Sequence, residues 1–169
     1  MLGYIMEWTE NLSTGNETID DQHKELFLRI NDLVLAVHNS VCKYKISDVI
    51  KFLDEYIAFH FGEEEHLMQG RSYPGYKAHK AQHEKFKRNF VRLKKDLMKL
   101  DGGKKPGSYG LSVRTNQIVV DWILEHIAQV DKKLGEFLRT QTEAEQALPP
   151  SGKKTIENKK TFFTEKLPL

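Results

Sequence analysis

One cysteine, Cys42, stands in the 169 residues, so no internal disulfide can form and a reducing compartment suits the chain. No histidine or acid lies close to it in VCKYK, and it reads as a half-exposed thiol near a helix end without a chemical role. Long apolar runs are missing too: no stretch approaches the ~18 apolar residues that would span a bilayer. The first residues, MLGYIMEWTEN, lack the basic start and apolar run of a secretory signal, which makes the cytoplasm the expected location. Charge of one sign is scarce in net terms, with 26 basic against 24 acidic residues and a formal +2. That is no field for binding nucleic acid. The positive excess is local, in Lys77 to Lys104 and Lys153 to Lys166.

What is present suits one folded body. Hydrophobic residues make up 39% and charged residues 30%, the balance of a soluble globular chain, and the length suffices for one core but not for two ordinary domains. Residues 1–18 hold Gly3, Gly15 and short polar side chains without sustained periodicity and read as an extended arm. Asp20 or Asp21 is expected to cap a first helix with Leu26, Ile30, Leu33 and Val37 inward. After a break at 39–46, Ser47 is expected to cap a second helix with Ile50, Leu53, Ile57, His60, Glu64 and Leu67 inward, ending by Gly70 before the turn RSYPGY.

A third helix carries His79, His83, Phe86, Phe90, Leu93, Leu97 and Leu100 at alternating steps of four and three, a bundle seam. The glycine-rich stretch DGGKKPGSYG, 101–110, separates it from a fourth helix starting near Thr115, with Val119, Trp122, His126, Val130, Leu134 and Phe137 or Leu138 inward. Nothing alternates with period two for long enough to make a sheet. The expected fold is therefore all-α: an up-down-up-down four-helix bundle with an N-terminal arm and a C-terminal extension. The bundle domain is expected over 1–148 and a flexible basic tail over 149–169, where Phe162 and Phe163 are the only aromatic pair and the anchors for any docking.

Ionisable residues interrupt the apolar stripes at one level. His60 and Glu64 take consecutive inward positions on the second helix, as His79 and His83 do on the third. Residues four apart project from one face with Cβ atoms about 5–6 Å apart, a spacing that suits ligands of one metal or of adjacent metals. A carboxylate buried without compensation costs several kcal/mol or shifts its pKa until it neutralises, so a cation is expected beside Glu64. In an alternating bundle His23, His60, Glu64, His79 and His83 all come to the same end.

His126 and Asp131 match that height less closely, and a separation of five turns them about 140° apart on an ideal α-helix. That permits ligation without demanding it. Five imidazoles and two carboxylates are too rich in nitrogen for calcium or magnesium, and no thiolate is present for structural zinc. Two octahedral ions sharing both carboxylates and one oxo or hydroxo group would keep a single position vacant, enough for a small end-on ligand. Other polar residues take plainer roles: His38 and His66 lie off the stripes, and Glu63 and Glu65, flanking an inward position, read as solvated.

These segments resemble the hemerythrin family, specifically its bacterial single-domain members. The matching stretches are MEWTENLSTGNETIDDQHKELFLRIN, YIAFHFGEEEHLM, YPGYKAHKAQHEKF and DWILEHIAQVD, which organise residues 6 to 139. The resemblance implies two iron ions with an oxo or hydroxo bridge. His79, His83 and His126 would serve the saturated iron, His23 and His60 the iron with the vacancy, and Glu64 and Asp131 the bridges. It also implies reversible O2 binding for storage or delivery, not catalysis.

Two other functions stand beside that expectation. One is an oxygen or redox sensor signalling through helix shifts or the tail. The other is a diiron enzyme reducing O2, peroxide or nitric oxide, which would need sites richer in carboxylate. Apolar neighbours such as Leu26, Phe27, Ile57, Phe61 and Trp122 are expected to exclude water. An oxygen-consuming protein is the candidate partner, no membrane span is expected, and the chain is expected to be a monomer or weak homo-oligomer. The loop at 101–110 and the tail depart from the compact family pattern without removing a ligand.

Overall fold

The computed structural model describes residues 5–38, 43–99 and 113–147. Four helices run up-down-up-down: α1 (Glu17–His38), α2 (Lys43–Gly70), α3 (Tyr76–Leu97) and α4 (residues 113–147). An arm with one 3-10 turn, Glu10–Leu12, precedes them. The predicted fold class holds. Leu100, the loop at 101–110 and the tail from 149 lie outside the described residues, as do Cys42 and the side chain of His38.

Local chemistry sets the helix ends. Gly15 takes φ 78°, a conformation that favours glycine, and passes the chain to Asn16, whose Oδ1 accepts the Ile19 N–H at 3.2 Å. Asn16 therefore caps α1, not Asp20 or Asp21. The Asp20 carboxylate turns back to the arm and accepts the Thr14 N–H (2.8 Å), the Thr14 hydroxyl (2.7 Å) and the Ser13 hydroxyl (2.6 Å). Burial opposes its ionisation, but these donors outweigh burial and hold its pKa below the usual carboxylate range.

α2 starts at Lys43, ahead of the expected Ser47 cap. It ends in a Schellman turn: Tyr73 N–H reaches Met68 O (2.8 Å), Ser72 N–H reaches Gln69 O (3.1 Å), and Ser72 takes the left-handed conformation at φ 54°.

The arm is strapped to the bundle. Met6 N–H and C=O pair reciprocally with the Asn31 side chain at 2.8 and 2.9 Å, and Lys132 Nζ donates to Asn11 O at 2.8 Å. Thr14 crosses α4 at Gly135, so closely that a Cβ there would lie 2.0 Å from the Thr14 carbonyl oxygen.

The apolar stripes fall where the spacing puts them on α1 and α3. On α2 the stripe ends at Met68, with Leu67 only half-buried, and on α4 Leu138 rather than Phe137 is buried. Buried apolar side chains form two separate clusters. The large one includes Leu26, Ile30, Leu53, Phe61, Phe86 and Ile123. The small one is Ile19, Met68, Leu134 and Leu138. A band of polar side chains lies between them.

Candidate metal centre

That band holds seven ionisable side chains, each no more than 2% exposed: His23 from α1, His60 and Glu64 from α2, His79 and His83 from α3, and His126 and Asp131 from α4. Every site residue expected from the sequence is brought together. His66 and Glu63 are exposed, as expected.

The donors divide into two groups whose atoms lie within 4.8 Å of one another: Glu64, His79, His83, His126 and Asp131 in one, and His23, His60, Glu64 and Asp131 in the other. Glu64 and Asp131 belong to both. Glu64 Oε2 faces His83 Nε2 (3.1 Å) and His79 Nε2 (3.4 Å), while Oε1 lies 4.0 Å from His60 Nε2. Asp131 Oδ1 faces His79 Nε2 (3.1 Å) and His126 Nε2 (3.2 Å), while Oδ2 faces His23 Nε2 (3.2 Å). Each carboxylate thus turns one oxygen to each nitrogen group, the arrangement of a bridge between two cations.

A π-helical turn puts Asp131 there. On an ideal α-helix Val130 would take the inward place and Asp131 would diverge from His126. α4 instead winds as π-helix over Ile127–Asp131, between α-helical Trp122–His126 and Lys132–Ala147. The wider turn absorbs one residue, so His126 and Asp131 share a face, Val130 is only half-buried, and the seam resumes at Leu134. The looser height match also resolves. α4 is already helical at residue 113 and so begins further from the site than Thr115, with a second π-helical stretch at Asn116–Asp121.

The donors call for positive charge. Both oxygens of Glu64, both of Asp131 and Nε2 of His23 and His60 are buried without a hydrogen-bond partner, although several lie at ion-pair distance from one another. His126 Nε2 lies 3.1 Å from His83 Nε2 and 3.2 Å from His79 Nε2, a convergence of lone pairs that few protons can satisfy.

Burial pushes His60 down to about 4. Burial and Asp131 both oppose ionisation of Glu64, but the imidazoles of His60, His79 and His83 hold it down at about 2. Burial likewise opposes ionisation of Asp131, and His126, His23 and His79 hold it well below the usual range. His79 is raised to about 9, since Asp131 and Glu64 outweigh its burial. The two carboxylates thus favour positive charge at His79. The residues fit a pair of metal ions.

Outer partners fix the rings. His60 Nδ1 meets Gln22 Oε1 at 2.8 Å, His83 Nδ1 meets Glu65 Oε1 at 3.3 Å, and His126 Nδ1 meets Gln82 Oε1 at 3.3 Å. These oxygens only accept, so Nδ1 carries the proton and the Nε2 lone pair is aimed inward, as a metal ligand requires. Sequence reasoning missed all three partners and read Glu65 as solvated. Glu65 is a correction: its side chain is 12% exposed and bound to Lys80 at 2.6 Å. A signal existed for the glutamines in the two Gln-His pairs, Gln22-His23 and Gln82-His83, although each glutamine serves a histidine on another helix.

Aromatic rings seal the imidazoles. Phe61 stacks on His83 at 3.8 Å and 1°, Trp122 stacks on His126 at 4.4 Å and 15°, and Trp8 of the arm lies 6.2 Å from His23.

Four helices that each offer inward histidine or carboxylate, with two carboxylates shared between unequal nitrogen groups, define a dinuclear metal-binding bundle protein. The family model described as "Hemerythrin HHE cation binding domain" matches residues 14–138. The chain is 34% identical over 138 residues to a bacteriohemerythrin of Methylococcus capsulatus, covering 79% of this chain and 97% of that one. It is 31% identical over 126 residues to a myohemerythrin of Sipunculus nudus, covering 75% and 88% respectively. A crystal structure of wild-type hemerythrin superposes with a TM-score of 0.66 at 30% identity, covering 80% of this chain and 98% of that one. The chain belongs to the hemerythrin family and is bacteriohemerythrin-like, and its buried donor set matches a diiron centre. Among the described residues no helix is long and apolar enough to cross a membrane.

Proposed function

We propose that the protein binds O2 reversibly at a diiron centre and serves to store or deliver it. The observation that carries this reading is the inequality of the two donor groups: three imidazoles with both carboxylates on one side, two imidazoles with the same carboxylates on the other. His79, His83 and His126 would hold one ion and His23 and His60 the other, with Glu64 and Asp131 shared between them. An iron pair bound there would supply the electrons for reversible O2 binding.

The chain's own residues do the rest. The bridging carboxylates keep their charge because the imidazoles hold both in the ionised form. Gln22, Glu65 and Gln82 hold three rings in one tautomer. Leu26, Phe27, Ile57 and Phe61, all buried, together with the half-buried Trp122, keep water from the site. Two carboxylates against five imidazoles make a donor set poorer in carboxylate than the paired Glu-x-x-His sites of ferritin-like diiron proteins, which favours carriage over turnover.

Residues 1–148 are our boundaries for the bundle unit, a reading supported by the family match within them, and 149–169, outside the described residues, are assigned to a C-terminal extension. A cytoplasmic setting, an oxygen-consuming partner and a monomeric or weakly associating chain complete the proposal. The single cysteine and the near-neutral net charge support the first and argue against a nucleic-acid partner. The test is an optical spectrum of the iron-loaded protein under nitrogen, air and nitrogen again. A charge-transfer band that appears in air and disappears on return is the expected result, and a band that never reverses defeats the carrier reading.

A further inference from the structure

Outer hydrogen bonds around the five imidazoles are not alike. His60 and His126 donate to neutral amides, Gln22 and Gln82, and His79 Nδ1 and His23 Nδ1 have no hydrogen-bond partner. Only His83, among the described residues, donates to a carboxylate, that of Glu65. That carboxylate is itself clamped from the outside. Lys80 Nζ lies 2.6 Å from Oε2 and Lys87 Nζ 4.0 Å from Oε1, and both lysines belong to α3, the helix that carries His83.

We infer that Glu65 is a positioning and potential-setting residue for the metal pair, that it acts through His83, and that Lys80 counters it. This rests on the diiron reading above. A carboxylate behind an imidazole pulls the Nδ1 proton toward itself and makes Nε2 a stronger donor, which favours the more highly charged, oxidised state of the ion that Nε2 faces. A glutamine in the same place fixes the ring without that push. The lysine ammonium at 2.6 Å draws charge out of the carboxylate and so weakens the push.

The Glu65 carboxylate lies between the His83 ring N–H at 3.3 Å and the ammonium groups of Lys80 at 2.6 Å and Lys87 at 4.0 Å, a setting that favours its negative charge. The effect is one-sided, because Glu65 stands behind the group of three imidazoles and Gln22 behind the group of two. Glu65 and Lys80 thus form a lever on one ion of the pair, with its handle at the protein surface, where the Lys80 side chain is 43% exposed.

The test compares Glu65→Gln and Lys80→Met with the unaltered protein, each loaded with iron and assayed for iron per chain and for midpoint potential. Glu65→Gln keeps the ring hydrogen bond and loses the charge, so its potential should rise. Lys80→Met frees the carboxylate to push harder, so its potential should fall. A tenfold change in the ratio of oxidised to reduced protein, ~59 mV for a one-electron step, is the size expected of Glu65→Gln.

Cobalt(II) affinity, measured against a competing chelator, gives a second reading that needs no oxygen chemistry. It should weaken about tenfold in Glu65→Gln. Shifts of opposite sign support the lever, since general damage to the fold would move both variants the same way. An unmoved potential in Glu65→Gln, or shifts of one sign in the two variants, overturns it. If Glu65→Gln fails to hold iron, Lys80→Met decides alone, and a potential equal to that of the unaltered protein overturns the inference. Failure of the diiron reading itself would show separately, as an unaltered protein that does not take up two irons per chain.

Discussion

Replacing Gly135 with alanine opposes two effects whose sizes decide the outcome. Gly135 lies inside the α-helical segment Lys132–Ala147, where alanine is favoured over glycine by about 1 kcal/mol. On propensity alone Gly135→Ala should stabilise. The arm reverses the sign. A Cβ at this position would sit 2.0 Å from Thr14 O, 2.8 Å from Thr14 C and 2.9 Å from Thr14 Cβ.

Thr14 has little freedom to retreat, because its N–H and hydroxyl both bond the ionised Asp20 carboxylate and its hydroxyl oxygen also accepts the Asn16 N–H at 3.2 Å. Relieving the clash lengthens at least two buried hydrogen bonds to a charged group, each worth roughly 1.5–3 kcal/mol. After the helix gain is subtracted, a net loss of about 2–5 kcal/mol remains, and Tm should fall by roughly 4–20 °C. Thermal unfolding followed by circular dichroism measures it. Tryptophan fluorescence adds a local reading, since Trp8 travels with the arm. A Tm equal to or above that of the unaltered protein would refute the close approach of arm and helix.

Other outcomes follow from the same geometry. His83→Ala should lose most of its iron while the exposed His66→Ala keeps it, and equal iron content in the two variants would defeat the ligand assignment. Deleting the exposed Gln129 should turn the π-helical turn into α-helix with the histidine and aspartate four apart, so iron should stay near two per chain, whereas inserting an alanine after Gln129 should cost iron; the reverse ranking would refute the account of α4.

Metal-free protein should be most stable near pH 6.5. Below that, the unfolded chain takes up a proton that folded His60 refuses until about pH 4, a loss of about 3 kcal/mol, and Glu64, held at about 2, adds to it below pH 4.5. Above pH 6.5 the stabilisation from His79 is lost progressively up to about pH 9. Urea unfolding across this range should therefore give a maximum, and a monotonic profile would contradict the charge pattern.

The four helices and the convergence of His23, His60, Glu64, His79, His83 and His126 were legible in the sequence for one physical reason, whereas Asp131 fell off the α-helical stripe. Histidine and carboxylate are seldom tolerated on an apolar stripe, so their coincidence at one level of a bundle reads as a site even before any turn is placed. Less legible were features set by backbone hydrogen bonding. Strict 3.6-residue periodicity puts Val130 inward, and only the i to i+5 pattern of the π-helical turn hands that place to Asp131. The choice of Asn16 over Asp20 as cap depends on Thr14 and Ser13 coming within reach of Asp20. Glu65 looked solvated because its partners Lys80 and Lys87 come from the next helix, a contact that no spacing within α2 encodes.

The polar band splits the apolar interior, with the large cluster on one side and Ile19, Met68, Leu134 and Leu138 on the other. Four side chains are a slender keystone for the closing end of a bundle. Ions drawn in between the helices would act as rivets there, joining α1, α2, α3 and α4 just where oil gives way to charge. Stripped of them, that end should breathe first, and amide exchange there should quicken well before the far end loosens.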